Sequence, residues 1–139
     1  MISHAQLPFG RLEAERAFDR ASRARRRAAI VRALKRAERE RLAVHDTPAA
    51  RPSRVREIPL DAITGTLEPN RAAQFDREFR PGKGVRGRWL RIWLAEHSGE
   101  VLPPISVAPV PGGYAVRDGH HRVSVAKARG AVSINAYIN

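Results

Sequence analysis

Between residues 54 and 139 apolar residues recur now at every second position and now at every third or fourth, while residues 12 to 42 carry only a thin apolar stripe among arginines. The first run, Val55-Arg56-Glu57-Ile58-Pro59-Leu60, predicts a strand closed by Pro59, then a turn at Asp61-Ala62-Ile63 and a loop at Thr64-Gly65-Thr66. Phe75 and Phe79 stand four apart and predict a short helix over Arg71 to Phe79. After the break at Pro81-Gly82-Lys83-Gly84, the spacing of Trp89, Leu90, Ile92, Trp93 and Leu94 predicts a buried helix from Arg88 to His97, stopped by Gly99. Pro104 to Val110 alternates as a strand, Pro111-Gly112-Gly113 turns the chain, and Tyr114 to Arg117 returns beside it as a hairpin. A helix from about His120 to Arg129 follows, with Val123, Val125 and Ala126 inward and Gly130 closing it. Ser133 to Ile138 is a last strand that puts Ile134, Ala136 and Ile138 on one face. Mixed strands and helices in this order predict a compact α+β domain.

The segment from Leu12 to about Leu42 has neither Gly nor Pro and consists mainly of Ala, Arg, Glu and Leu, a strong helix composition. Its apolar positions, Phe18, Ala21, Ala28, Val31, Ala33, Leu34 and Leu42, are too sparse to bury much surface. Such a helix docks loosely, pairs with a partner, or lies on a polyanion. Pro48, Pro52 and Ser53 mark Asp46 to Arg54 as a linker. The expected organisation is a basic helical extension over 1–45, a linker over 46–53 and a domain over 54–139.

Charge sharpens this division. The chain has 139 residues and a net charge of +12. Residues 11–41 hold twelve Lys/Arg against five Asp/Glu, so most of the excess lies on the helical extension. Arg23, Arg25, Arg26, Arg27, Arg32, Lys35, Arg36 and Arg39 suit non-specific phosphate contacts, and nucleic acid is the expected partner. No apolar run is long enough to suggest a membrane span. The start Met1-Ile2-Ser3-His4-Ala5 has no signal-peptide pattern, so a cytoplasmic location is expected. Cysteine is absent, which excludes disulfides, thiolate zinc sites and thiol catalysis.

The densest chemistry lies at Asp118-Gly119-His120-His121-Arg122, where a strand turns into a helix. The first N–H groups of a helix lack partners and its dipole is positive there, so phosphate or carboxylate is the natural ligand. Asp118 reads as the N-cap, Gly119 as a turn residue that also admits a ligand close to the backbone, and Arg122 as a planar fork for anion oxygens. Adjacent histidines diverge by about a hundred degrees on a helix, so His120 and His121 do not form a metal pair and no metal is expected. One of them, His121, is assigned to phosphate donation or proton transfer, which makes it a catalytic candidate, and the other to structure. Arg71 extends the positive surface; Glu68 and Asp76 are the candidate general bases. With Arg71, the cluster Lys83, Arg86, Arg88 and Arg91 is expected to extend the positive surface toward a phosphate chain, although Lys83 reads as solvated charge; Trp89 and Trp93 read as helix core.

Asp118 to Ala126, with Gly130 and the closing strand, resembles the turn of the ParB/sulfiredoxin-like superfamily, and the resemblance extends back through Pro103 to Val107, Phe75-Asp76-Arg77-Glu78-Phe79, Arg71 and Gly65-Thr66. It implies a ParB/sulfiredoxin-like mixed-sheet fold over residues 54–139 and a phosphate-binding turn at Asp118, Gly119, His120, His121 and Arg122, with Arg71 assisting. The sulfiredoxin branch has a cysteine where this chain has His120, and its His-Arg pair matches His121-Arg122, so thiol catalysis is not implied. The partition-protein branch binds CTP with a glutamate at the position of His120 and carries a helix-turn-helix domain after this module, which is not expected here. A third branch, the nucleotide-dependent serine kinases, has a similar turn. The implied ligand is a nucleotide (CTP, ATP or ADP) with Mg. The expected function is a nucleotide- or nucleic-acid-phosphate-binding module associated with DNA; the alternatives are a nucleotide-dependent phosphotransferase or nucleotidase, and a protein-interaction adaptor.

Overall fold

The computed structural model describes residues 8–34, 41–47 and 53–139. A six-stranded mixed sheet is built from β1 (Ala43–Val44), β2 (Arg54–Pro59), β3 (Ile63–Thr66), β4 (Ile105–Val110), β5 (Gly113–Asp118) and β6 (Ser133–Ile138). Their spatial order is β1-β3-β5-β4-β6-β2. The expected hairpin forms: β4 and β5 pair antiparallel, with Val110 opposite Gly113. β3 and β5 run parallel, as do β4 and β6, so chain segments far apart in sequence meet at the centre of the sheet. The fold is α+β, with three α-helices among the described residues: α1 (Pro8–Leu34), α2 (Arg86–His97) and α3 (His120–Ala128).

Strand alternation sets the core. Ala136 and Ile138 on β6 are buried and Ile134 is half-buried, whereas Asn135 and Tyr137 between them are exposed. Ile105, Val107 and Val116 join them beneath α2 and α3, which contribute Trp89, Leu90, Val123 and Val125. The buried Trp89 indole Nε1 donates to Ser124 Oγ at 2.9 Å, which satisfies the one polar atom that this large ring brings into the core.

α1 is a component of this core. Ala14, Ala17 and Phe18 are buried, and the Phe18 ring meets Trp89 edge-on at 5.4 Å between centroids. Three residues on one face suffice because α1 is long and α2 presents a large flat partner. Past residues 35–40, which lie outside the described residues, Leu42 is not helical: its N–H donates to the Ala72 carbonyl at 3.2 Å, and Ala43–Val44 is strand, pairing parallel with Gly65–Thr66. Lys35, Arg36, Arg39 and most of the expected linker lie outside the described residues.

Two further expectations are corrected. Thr64-Gly65-Thr66 is part of β3 rather than a loop. Gly65 is needed for close approach, since a Cβ there would lie 2.4 Å from the Ala43 carbonyl oxygen. Residues 71–79 do not form a helix; a 3-10 turn at Pro69–Arg71 leads into tight turns instead. The buried Asp76 carboxylate explains this, because its Oδ1 accepts the N–H groups of Glu78 and Arg80, both at 2.9 Å, in place of helical carbonyls. Phe79 then takes a left-handed conformation at φ 59°, incompatible with continuing a helix.

Candidate functional site

β5 delivers Arg117 and Asp118 to the edge of a cleft, and Gly119 turns the chain into α3 at φ 112°. Glycine is required twice over, for that φ and because a Cβ would lie 2.5 Å from Ile105 Cγ2. Across the cleft stand Glu68, Asn70 and Arg71 from the segment after β3, with Arg88 and Ile92 from α2. The space enclosed is about 310 Å³. Arg71, Asp118, Gly119, His120, His121, Arg122 and Glu68, singled out from sequence, all line it. Asp76 does not; it is fully buried in its turn, 3.4 Å from Arg80 Nη1.

The two histidines differ as their helical positions require. His120 Nε2 is hydrogen-bonded to Thr66 Oγ1 at 2.6 Å, while the same hydroxyl oxygen accepts the Glu68 N–H at 2.9 Å. This ties the start of α3 to the end of β3. Phe75 packs beneath both imidazoles, stacked on His120 at 6.4 Å and edge-on to His121 at 5.3 Å. Burial, then the Arg71 and His121 charges, lower the His120 pKa to about 4, opposed by Asp118. Burial, then Arg88 and Arg71, lower that of His121 to about 4 as well. Both rings are therefore neutral at pH 7, and the positive charge of the cleft resides on its arginines.

Those arginines have different duties. Arg122 Nη1 donates to the Pro103 carbonyl and, at 3.2 Å, to that of Pro104, and Nη2 is 3.3 Å from Asp118 Oδ2. Much of its fork is thus spent on holding the 103–104 loop against the turn. Asp118 is engaged by Arg122 and Gly119 occupies the N-cap with no side-chain cap bond, so the expected Asp118 cap is replaced by this ion pair. Arg71 Nη1 donates to Gln74 Oε1 at 3.1 Å, leaving its other N–H groups available. Arg88 is exposed at the rim. Arg117 Nε is buried with no hydrogen-bond partner among the described residues.

Arg117 is not among the residues singled out from sequence; of the basic cluster expected to extend the positive surface toward a phosphate chain, Arg88 lines the cleft and Lys83, Arg86 and Arg91 do not. Arg117 directly precedes Asp118 at the end of a strand that points into the turn, and that position is the one signal of its role. Among the described residues no three His, Asp or Glu side chains converge as metal ligands. No described helix is long and apolar enough to cross a membrane.

A larger cavity of about 430 Å³ opens between α1, α3 and the Phe79–Pro81 turn. Its charges offset one another, with Lys127 Nζ 3.8 Å from Glu78 Oε2, and Arg20 and Asp61 also on its wall. The cleft at α3 is the better candidate because four arginines there face a helix N-terminus.

On α1 the nucleic-acid candidates separate. Arg23, Arg26 and Arg27 are exposed, Arg25 and Arg32 half-buried. Arg25 Nη2 donates to the Ala73 carbonyl at 3.0 Å and so braces α1 against the turns after β3.

No family model and no curated protein matches the chain. Among solved structures, sulfiredoxin from Arabidopsis thaliana is similar, with 21% identity over 62% of this chain and 84% of that one and a TM-score of 0.46. The chemistry of the cleft rests on its own residues.

Proposed function

We propose that the protein is a binding module for a phosphorylated ligand, a nucleotide in the first instance, held at the N-terminus of α3. The observation that carries this reading is the convergence of Arg71, Arg88, Arg117 and Arg122 on a cleft at the N-terminus of α3. Unpaired N–H groups at the start of α3 supply further donors, and neutral His121 adds one without demanding a proton. The lining is polar apart from Ile92, which suits phosphate better than a base. Its carboxylates are Glu68 and Asp118, the latter engaged by Arg122, so Mg fits here only as a companion of the ligand's own phosphates.

A second reading, a nucleotide-dependent phosphotransferase or nucleotidase, is favoured by the placement of Glu68 beside this anion site, where a carboxylate is able to accept a proton from water or a hydroxyl. A thermal-shift series with inorganic phosphate, pyrophosphate, ATP, ADP and CTP, each with and without Mg, tests the first reading, because a ligand of the folded state raises apparent stability. Phosphate release or transfer in the same samples tests the second.

A further inference from the structure

The described part of α1 buries one face and leaves the opposite face to solvent. On a helix turning about 100° per residue, Arg16, Arg20, Arg23 and Arg27 fall in a sector about 60° wide, diametrically opposite Ala14 and Phe18. The four arginines are exposed, and Ala14 and Phe18 are buried at 0% and 3%. At 1.5 Å rise per residue the row is about 16 Å long. Among the described residues none of the four has a carboxylate within ion-pair distance, whereas the more N-terminal Arg11 is paired with Glu15 at 3.0 Å. Asp19 is the one acidic residue between Arg16 and Arg27.

We infer that this outward row on α1 is a nucleic-acid interface that reads the phosphate backbone and not the bases. Position on the helix, not local density of arginine, selects its members: Arg16 and Arg20 enter, while Arg25 is turned inward to the Ala73 carbonyl. A polyanion with a charge every ~3.4 Å along each strand offers partners to the whole row at once. A lipid surface is disfavoured because the apolar residues opposite the row, Ala14 and Phe18, are already packed in the core, and the exposed Ile30, Val31 and Leu34 lie beyond its C-terminal end. A protein partner is disfavoured because such interfaces centre on apolar or aromatic anchors, and between Arg16 and Arg27 the outward face has none. A second copy of the same row is excluded by like charge. The interface is independent of the α3 cleft and uses none of its residues.

The test is fluorescence anisotropy of a labelled duplex of about 20 base pairs across a salt series, comparing the full chain with R16Q/R20Q/R23Q/R27Q; each lost phosphate contact removes ~0.9 from the slope of log affinity against log salt. The expected result is a slope shallower by about three to four, with the melting temperature unchanged because all four side chains are exposed. Should the quadruple variant melt early, R16Q/R20Q alone is expected to flatten the slope by about two. An equal loss in R54Q/R56Q/R91Q, which removes exposed charge elsewhere, overturns the inference, as does an unchanged slope in R16Q/R20Q. Binding to phosphatidylserine vesicles or polyglutamate without binding to the duplex overturns it too.

Discussion

His120 Nε2 and Thr66 Oγ1 lie 2.6 Å apart, a buried hydrogen bond that spans 54 residues of sequence and joins the first turn of α3 to the last residue of β3. It fixes one wall of the cleft to the other, with His121, one residue along, also lining the cleft. Thr66→Val removes the hydroxyl while keeping the shape, stranding His120 and the Glu68 N–H. The expected cost is about 1–3 kcal/mol in chemical denaturation, and a cost near zero contradicts the structural role given to His120.

Phe18 tests whether α1 belongs to the core. Its ring is 3% exposed and packs edge-on to Trp89. Phe18→Ala is expected to lower global stability by about 3–4 kcal/mol, read as a shift of the single denaturation midpoint. If only helix content falls while the tryptophan signal unfolds as before, α1 is a loosely docked appendage.

Arg122 belongs to the scaffold of the cleft as much as to its charge. Arg122→Ala removes the donor shared by the Pro103 and Pro104 carbonyls and releases Asp118. A stability loss of about 1–3 kcal/mol is expected without any ligand present. An Arg122→Ala protein as stable as the parent shows that these contacts carry no weight.

How much of this was legible in sequence depends on how far apart the partners lie. Residues 104–138 were readable because every cue there is local: alternation in β4 and β6, glycines at the turn, Gly119 and Gly130 bounding α3. The segment 71–79 was misread because the Phe75–Phe79 spacing suits a helix, while the Asp76 side chain captures the N–H groups a helix needs. Gly65 misled for a related reason, since glycine marks a close approach as readily as a turn. The Asp118–Arg122 wall of the cleft was legible as strand-turn-helix. Its partner Arg117 was not singled out, and the hydrogen bond from His120 to Thr66 was not legible, because Thr66 meets the turn only through the β3–β5 pairing.

Acid sensitivity follows from the histidines. Both have folded-state pKa values lowered from 6.5 to about 4, by burial first and then by arginine charge. The unfolded chain therefore takes up protons before the folded one does. Their contribution to stability is complete above about pH 6.5 and is lost as pH falls through that value towards about 4. The melting temperature is expected to drop across this window, and less steeply in His121→Gln. A profile flat between pH 7 and 4.5 contradicts neutral, buried imidazoles.

The central claim, that the α3 cleft holds a phosphorylated ligand through arginines that do not stabilise the fold, is tested most directly by calorimetric titration of CTP, ATP and pyrophosphate into the parent protein and into R88Q/R117Q. The parent is expected to bind at least one of them. The double variant should lose affinity by about 100-fold, as two charge-assisted hydrogen bonds of roughly 1.5 kcal/mol each require, with its melting temperature unchanged or raised. Absence of binding by the folded parent, or binding that survives both substitutions, contradicts it.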